Sequence, residues 1–176
     1  MEHETRVVVR QGGAELVDRL APLWLALLAH HQAIAPDYAY QDPESSWKLR
    51  STYYREWLAE PGSFVLLATV AEVPVGYALV HVKEGPSSTW AIGDRTAELE
   101  TLSVAPDRRG QGIGTLLLDA VDDELSAAGI DDLFIGALAA NTEALRLYER
   151  RGLRPIMVHV ARLGSSRRTP GPPAQD

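Results

Sequence analysis

The chain has 176 residues, 45 % of them apolar, and a formal charge of −7, the size and composition of one compact domain able to bury a core without staples. It contains no cysteine, which excludes disulfides, thiolate metal sites and a cysteinyl acyl-enzyme. Its acidity argues against nucleic acid as a partner and suits a small cationic ligand better, while the longest apolar run, residues 23–29, is too short to span a bilayer. With no signal-like apolar stretch at the start, the expectation is a soluble cytoplasmic protein without a membrane partner.

Residues 5–10 alternate β-branched and basic side chains and end at Gly12 and Gly13, which predicts a first strand. Leu16, Val17, Leu20, Leu23, Trp24, Leu27 and Leu28 recur at spacings of three and four, predicting a helix over 14–31 that Pro22 should kink or restart. After a polar, aromatic loop, Pro43 is placed as the first residue of a second helix over 43–60, with Trp47, Tyr54, Trp57 and Leu58 on one face. The pattern then changes to period two. Residues 63–70 and 75–82 read as an antiparallel hairpin, and 96–104 as the strand that runs into a glycine-rich segment. Ile113, Leu116, Leu117, Ala120, Val121, Leu125 and Ala128 form a helix stripe closed by Gly129. A nearly continuous apolar run over 133–138 reads as a strand buried on both faces, followed by a short helix over 141–151 and a last strand over 153–163. The reading is a single domain over 1–163, an α/β (α+β) mixed sheet with helices on its faces, and a Pro-, Gly- and Ser-rich tail over 164–176 expected to be disordered.

The glycine-rich segment, RRGQGIG from Arg108 to Gly114, lies between a strand and an amphipathic helix. Glycines at a helix start cost up to about 1 kcal/mol each against alanine where they are helical, so a compensating role is expected. Without Cβ atoms at Gly110, Gly112 and Gly114, an anion can approach the unpaired N–H groups of the first turn, where the helix dipole also favours negative charge. Arg108 and Arg109 stand where acidic residues are usual in a first turn. A Walker loop would need a lysine that does not follow, and a dinucleotide fingerprint would need a third glycine and a strand-ending acid that Leu117 and Leu138 do not supply.

Arg109-Gly110-Gln111-Gly112-Ile113-Gly114 matches the Gln/Arg-x-x-Gly-x-Gly/Ala signature, and NTEALRLYERRGL resembles a second signature of Asn, Tyr and Gly-Phe in which Leu153 replaces Phe. By these two motifs and its element order, the chain resembles the GNAT superfamily of N-acetyltransferases. The resemblance implies a mixed, mostly antiparallel central sheet of about six or seven strands with helices on both faces. It implies acetyl-CoA as acyl donor, with no metal, and direct transfer of acetyl to a primary amine in a ternary complex. It further implies that the amides of Arg109, Gly110, Gln111, Gly112, Ile113, Gly114 and Thr115 hold the pyrophosphate. Leu102, Ser103 and Val104 would pair their backbone with the pantetheine arm as an added strand. Asn141 would hydrogen-bond the arm, and Tyr148, two helical turns later, would reach the sulfur as general acid.

Glu100 is the expected general base, directly or through water, with Glu98, a histidine or water as alternatives. Period-two alternation puts Glu98 and Glu100 on the face of Leu102 and Val104. The five histidines show no metal-ligand spacing, and His30 and His31 read as helix C-terminal residues favoured by the dipole. Asp37, Tyr38, Tyr40 and Asp42 lie where the family binds its acceptor, a small-molecule or peptide amine, and their acids and aromatics suit a cation. A homodimer is compatible with the sequence. The competing functional reading is a module of the same fold that binds acyl-CoA without catalysis.

Overall fold

The computed structural model describes residues 6–162 and 164, so the expected disorder of the tail falls, apart from Gly164, outside the described residues. In chain order it contains β1 (Val8–Gly12), a 3-10 segment (Ala14–Leu20), α1 (Ala21–Ile34), α2 (Pro43–Leu58), β2 (Phe64–Val70), β3 (Val73–Glu84) and β4 (Arg95–Val104). A 3-10 turn (Pro106–Arg108), α3 (Ile113–Ala128), β5 (Leu133–Ile135) and α4 (Thr142–Arg150) follow. The sheet runs β1-β2-β3-β4-β5. Its first four strands are antiparallel neighbours, whereas β5 joins β4 in parallel.

Local chemistry sets most boundaries. Pro22 occupies the second position of α1, where its missing N–H leaves no bond unmade, and the expected long helix is therefore split into a 3-10 segment and α1. Asp42 caps α2 by accepting the Ser45 amide at 3.0 Å, with Pro43 as the first helical residue. The β2–β3 turn places Ala71 and Glu72 at φ of 48° and 62°, a left-handed conformation that costs roughly 1–2 kcal/mol per non-glycine residue. Arg10 pairs with the Glu72 carboxylate at 3.2 Å and Arg19 donates to its carbonyl at 2.7 Å, clamping the turn to the start of the chain.

Helices cover both faces of the sheet. On one, Leu117, Leu118, Val121 and Leu125 of α3 pack on Leu66, Ala68, Ala78, Val80 and Leu99. On the other, Val17, Leu20, Leu23 and Tyr54 pack on Val65, Leu67, Tyr77 and Leu79. Gly76 lets α3 sit close, since a Cβ there would lie 3.0 Å from the Ser103 carbonyl oxygen and 3.2 Å from both Ile113 and Leu117.

Three expectations are corrected. The first strand begins at Val8 and extends to Gly12, because it pairs with β2 as far as Gly12↔Val65. β5 covers three residues and is half-buried, so the apolar run over 133–138 is not a strand buried on both faces. Residues 153–162 form no strand, and among the described residues the sheet has five strands in place of the six or seven expected. Period-two sequence makes a strand only where a ladder is offered, and this segment meets none: Ile156, Val158 and Val160 are exposed.

Candidate functional site

β4 organises the site. It pairs with β5 only from Ala97↔Leu133 to Leu99↔Ile135, whereas its pairing with β3 continues to Val104↔Gly76. Among the described residues, no strand therefore pairs with the β5-facing edge of residues 100–104. Where the two strands part, β4 contains a bulge: Leu79 pairs Thr101 and Val80 pairs Leu99, leaving Glu100 as the extra residue. The bulge changes which side chains share a face. Leu99, Leu102 and Val104 pack with α3, whereas Glu100, Thr101 and Ser103 turn toward α1 and α2. The expected placement of Glu98 and Glu100 beside Leu102 and Val104 is thus incorrect, because strict alternation does not survive an inserted residue.

At the end of β4 the chain turns through Pro106–Arg108 into the glycine segment. Gly110 and Gly112 are left-handed, at φ of 73° and 82°, and a Cβ added to either would meet nothing within 4 Å. Gly112 is the N-cap of α3 and has no side chain to cap it. The Leu116 amide bonds to the Gly112 carbonyl at 2.9 Å, while the amides of Ile113, Gly114 and Thr115 precede the first such bond. The first turn carries no acid. This open, uncapped helix start fits a phosphate group. Gly114 differs from its neighbours: a Cβ there would touch Leu147 of α4 at 3.4 Å, so this glycine serves helix packing.

The other expected ligands of the donor divide between free and committed. Ile113 is buried and anchors the helix start in the core. The Gln111 amide donates to the Asp107 carbonyl at 3.2 Å and Arg108 lies 3.6 Å from the Asp107 carboxylate, so these side chains brace the loop. Arg109 folds back to donate through Nε to the Val104 carbonyl at 3.3 Å, with His30 Nδ1 at 3.5 Å from its Nη1. Thr115 is exposed. The Ser103 hydroxyl donates to the Leu23 carbonyl at 2.9 Å, tying β4 to α1 and leaving only its backbone for a ligand. Asn141 caps α4, accepting the Ala144 amide at 3.3 Å. Tyr148 packs, with Leu102 and Val104, on the α3-face core, and burial pushes its hydroxyl up to about 12. Arg151 fastens α4 to α3 through Asp119 at 2.8 Å and Asp122 at 2.5 Å.

On the opposite face, Glu100 is largely buried and its Oε1 lies 3.2 Å from His81 Nδ1. The other ring nitrogen of His81 faces Glu60 Oε2 at 3.4 Å without a hydrogen bond of good geometry. Trp57 stacks on the imidazole, centroids 5.6 Å apart and planes at 19°. Glu98, by contrast, is held by Lys83. Next to Glu100, the Thr101 hydroxyl lies 2.6 Å from the Tyr54 hydroxyl, which is 2.9 Å from that of Tyr77. Burial raises both phenols, Tyr54 to about 12 and Tyr77 well above its ordinary range, so these three hydroxyls form a neutral, fully buried chain behind the bulge.

The loop expected to receive the acceptor is partly structural. Tyr40 bonds to the His31 and Ala35 carbonyls, both at 3.0 Å, closing the C-terminus of α1, and Asp42 is the α2 cap. The cap bond from the Ser45 amide holds the Asp42 carboxyl below its usual range. Burial first, and then the neighbouring His30 and Arg50, push the His31 imidazole below its ordinary value.

The model of the acetyltransferase (GNAT) family matches residues 27–153. The chain belongs to this family. It is 30 % identical over 140 residues to a mycothiol acetyltransferase of Thermobispora bispora, a match covering 78 % of this chain and 44 % of that one. The chain spans less than half the length of the curated relatives it matches. Among solved structures, a Bacillus halodurans protein superposes with a TM-score of 0.73 at 20 % identity, over 89 % of this chain and 99 % of the other. A predicted acetyltransferase of Clostridium acetobutylicum, solved with acetyl-CoA, superposes with a TM-score of 0.70 at 15 % identity, over 89 % and 96 %. These two likenesses are of fold. Among the described residues, no helix of this GNAT chain is long and apolar enough to cross a membrane.

Sequence reasoning missed His81, Glu60 and Arg50. A signal existed for two of them. His81 follows Tyr77 and Leu79 at period two within the strand expected over 75–82, a spacing that puts all three on one face. Arg50 lies three residues after Trp47 and four before Tyr54, on the aromatic stripe of α2. Glu60 lies beyond α2 and offers no pattern at all.

Proposed function

We propose that this GNAT chain moves an acetyl group from acetyl-CoA to a primary amine by direct attack in a ternary complex. The observation that carries the reading is β4 itself: one strand leads into an open, uncapped helix start, leaves its edge unpaired over residues 100–104, and carries a half-sequestered carboxylate at the bulge where that edge begins. The open amides from Gly110 to Thr115 would hold the pyrophosphate, and the free edge at Leu102, Ser103 and Val104 would pair with the amide-bearing arm. Bound there, acetyl-CoA supplies an activated acyl group.

The chain's own residues then divide the proton work. Glu100 takes a proton from the acceptor's ammonium, directly or through a water, and frees the nitrogen lone pair. His81, bonded to Glu100 and stacked on Trp57, acts as the positioning residue that aims the carboxylate. The nitrogen attacks the acetyl carbonyl carbon and loses its second proton to solvent, the carbon–sulfur bond breaks, and Tyr148 gives its phenolic proton to the departing sulfur and regains one from solvent. A hydroxyl raised to about 12 stays protonated at neutral pH, as a donor must. The absence of cysteine agrees with transfer that needs no acyl-enzyme.

Incubating the protein with acetyl-CoA and a library of amines while detecting free thiol tests the reading. Amine-dependent thiol release is the expected result. Stabilisation of the fold by coenzyme A with no amine giving turnover would replace the enzyme by a non-catalytic acyl-CoA-binding module.

A further inference from the structure

We propose that the acceptor bears an anionic group, a carboxylate in the simplest case, which Arg50 binds while the acceptor's amine lies at Glu100. This rests on the acetyltransferase reading above and adds the substrate class. The Arg50 guanidinium sits 4.2 Å from the ring centroid of Trp24, 5.7 Å from that of Tyr54 and 5.8 Å from that of Trp57. Cation–π contacts of this kind fix a guanidinium in place but use its flat faces, leaving the N–H fork that matches a carboxylate. Several arginines of the molecule spend that fork internally, Arg10 on Glu72, Arg55 on Asp18, Arg95 on the Ala128 carbonyl and Arg151 on Asp119 and Asp122; what sets Arg50 apart is its seat on three rings. Among the described residues, Arg50 has no carboxylate or carbonyl acceptor.

The rings that hold Arg50 also lead to the base. Trp57 stacks on His81, which bonds Glu100, and Tyr54 bonds Thr101, the next residue after Glu100. Arg50 and Glu100 therefore stand at two ends of one packed row of rings, with Tyr54 and Trp24 buried behind and the partly exposed Trp57 on its outer face. Glu60 adds a second carboxylate at the Glu100 end, facing His81 at 3.4 Å. An amine with no other charge would use one end of this face, and a dication would bring positive charge toward Arg50. A zwitterion, ammonium toward Glu100 and carboxylate toward Arg50, satisfies both ends.

The test measures kcat/KM for ω-amino acids of graded chain length and for the unsubstituted alkylamines of the same lengths, with wild type, Arg50→Gln and Arg50→Lys. Wild type should favour the amino acid at its best length by at least about tenfold, the scale of one charge-assisted contact. Arg50→Gln should collapse that ratio to within about twofold, chiefly through KM for the amino acid. Arg50→Lys, which keeps the charge and loses the planar fork, should fall between. Thiol release with both series and no preference in wild type overturns this inference alone, as does a preference that persists in Arg50→Gln. No thiol release with any amine overturns the acetyltransferase reading and this inference with it. Where Arg50→Gln fails to fold, Arg50→Lys decides in its place: a preference in it equal to that of the wild type overturns the inference.

Discussion

The two sides of β4 are built from different materials. On the α3 side the site is backbone: amides exposed by Gly110 and Gly112, a helix start without a cap, and a strand edge without a neighbour. On the α1 and α2 side it is side chain: Glu100, His81, Trp57, Tyr54 and Arg50 drawn from β4, β3 and α2. A backbone site needs a short stretch of residues that stay out of the way, so it can be written in one contiguous motif. A side-chain site needs residues brought together by packing, and it can change its specificity without touching the donor half.

Substitutions should separate the halves by the size and kind of their effect. Gly112→Asp places a side chain and a negative charge where the pyrophosphate would lie and strains a left-handed position. Coenzyme A affinity by calorimetry should fall by about a hundredfold or more, and retained affinity would remove the cradle from this segment. Glu100→Gln should leave that affinity within about twofold and lower kcat/KM by about a hundredfold, the scale of a general base. An equal loss in both measurements would mean that Glu100 supports structure on the donor side.

Tyr148→Phe should lower kcat by about tenfold at neutral pH with coenzyme A affinity unchanged, provided chemistry limits turnover. The same tyrosine makes a stability prediction. Its folded value, about 12, lies above the ordinary phenol value near 10, so its contribution is complete below pH 10 and is lost as pH rises through 12. Thermal melts of the wild type should fall between pH 10 and 12, and Tyr148→Phe should fall less; equal slopes would place the titration on the other buried phenols. The smallest effect is structural. Gly76→Ala pushes a Cβ to 3.0 Å from the Ser103 carbonyl oxygen and should destabilise the fold by about 1–3 kcal/mol, lowering Tm while the free protein's site chemistry stays in place.

Particular residues show where sequence reading reaches and where it stops. Pro22, Pro43 and Gly129 act within a turn of their own positions, and the helix limits they announce are found within a few residues, whereas the capping role of Asp42 was not read from the sequence. Gly110 and Gly112 act through their own φ angles and missing Cβ atoms, and the open helix start follows. Glu100 was picked out as an acid near the end of a strand, but its direction was misjudged, because the bulge opposite Leu79 and Val80 depends on a partner strand. Residues 153–162 have the alternation of a strand and lack the ladder that would make one. His81 and Arg50 share a strand face and a helix stripe with aromatic residues, a signal shared with many structural positions; only the packing of Trp57 and Trp24 against them gives them surroundings.

Taken alone, the sequence determined the family, the order of elements as far as α4 and the glycines that open the start of α3, since each rests on local conformation or on spacing along one chain segment. Only the tertiary structure decided the five-strand sheet, the face that Glu100 presents and the aromatic floor joining it to Arg50. Those features are properties of pairs of segments, and the free energy that selects them appears only when distant surfaces meet.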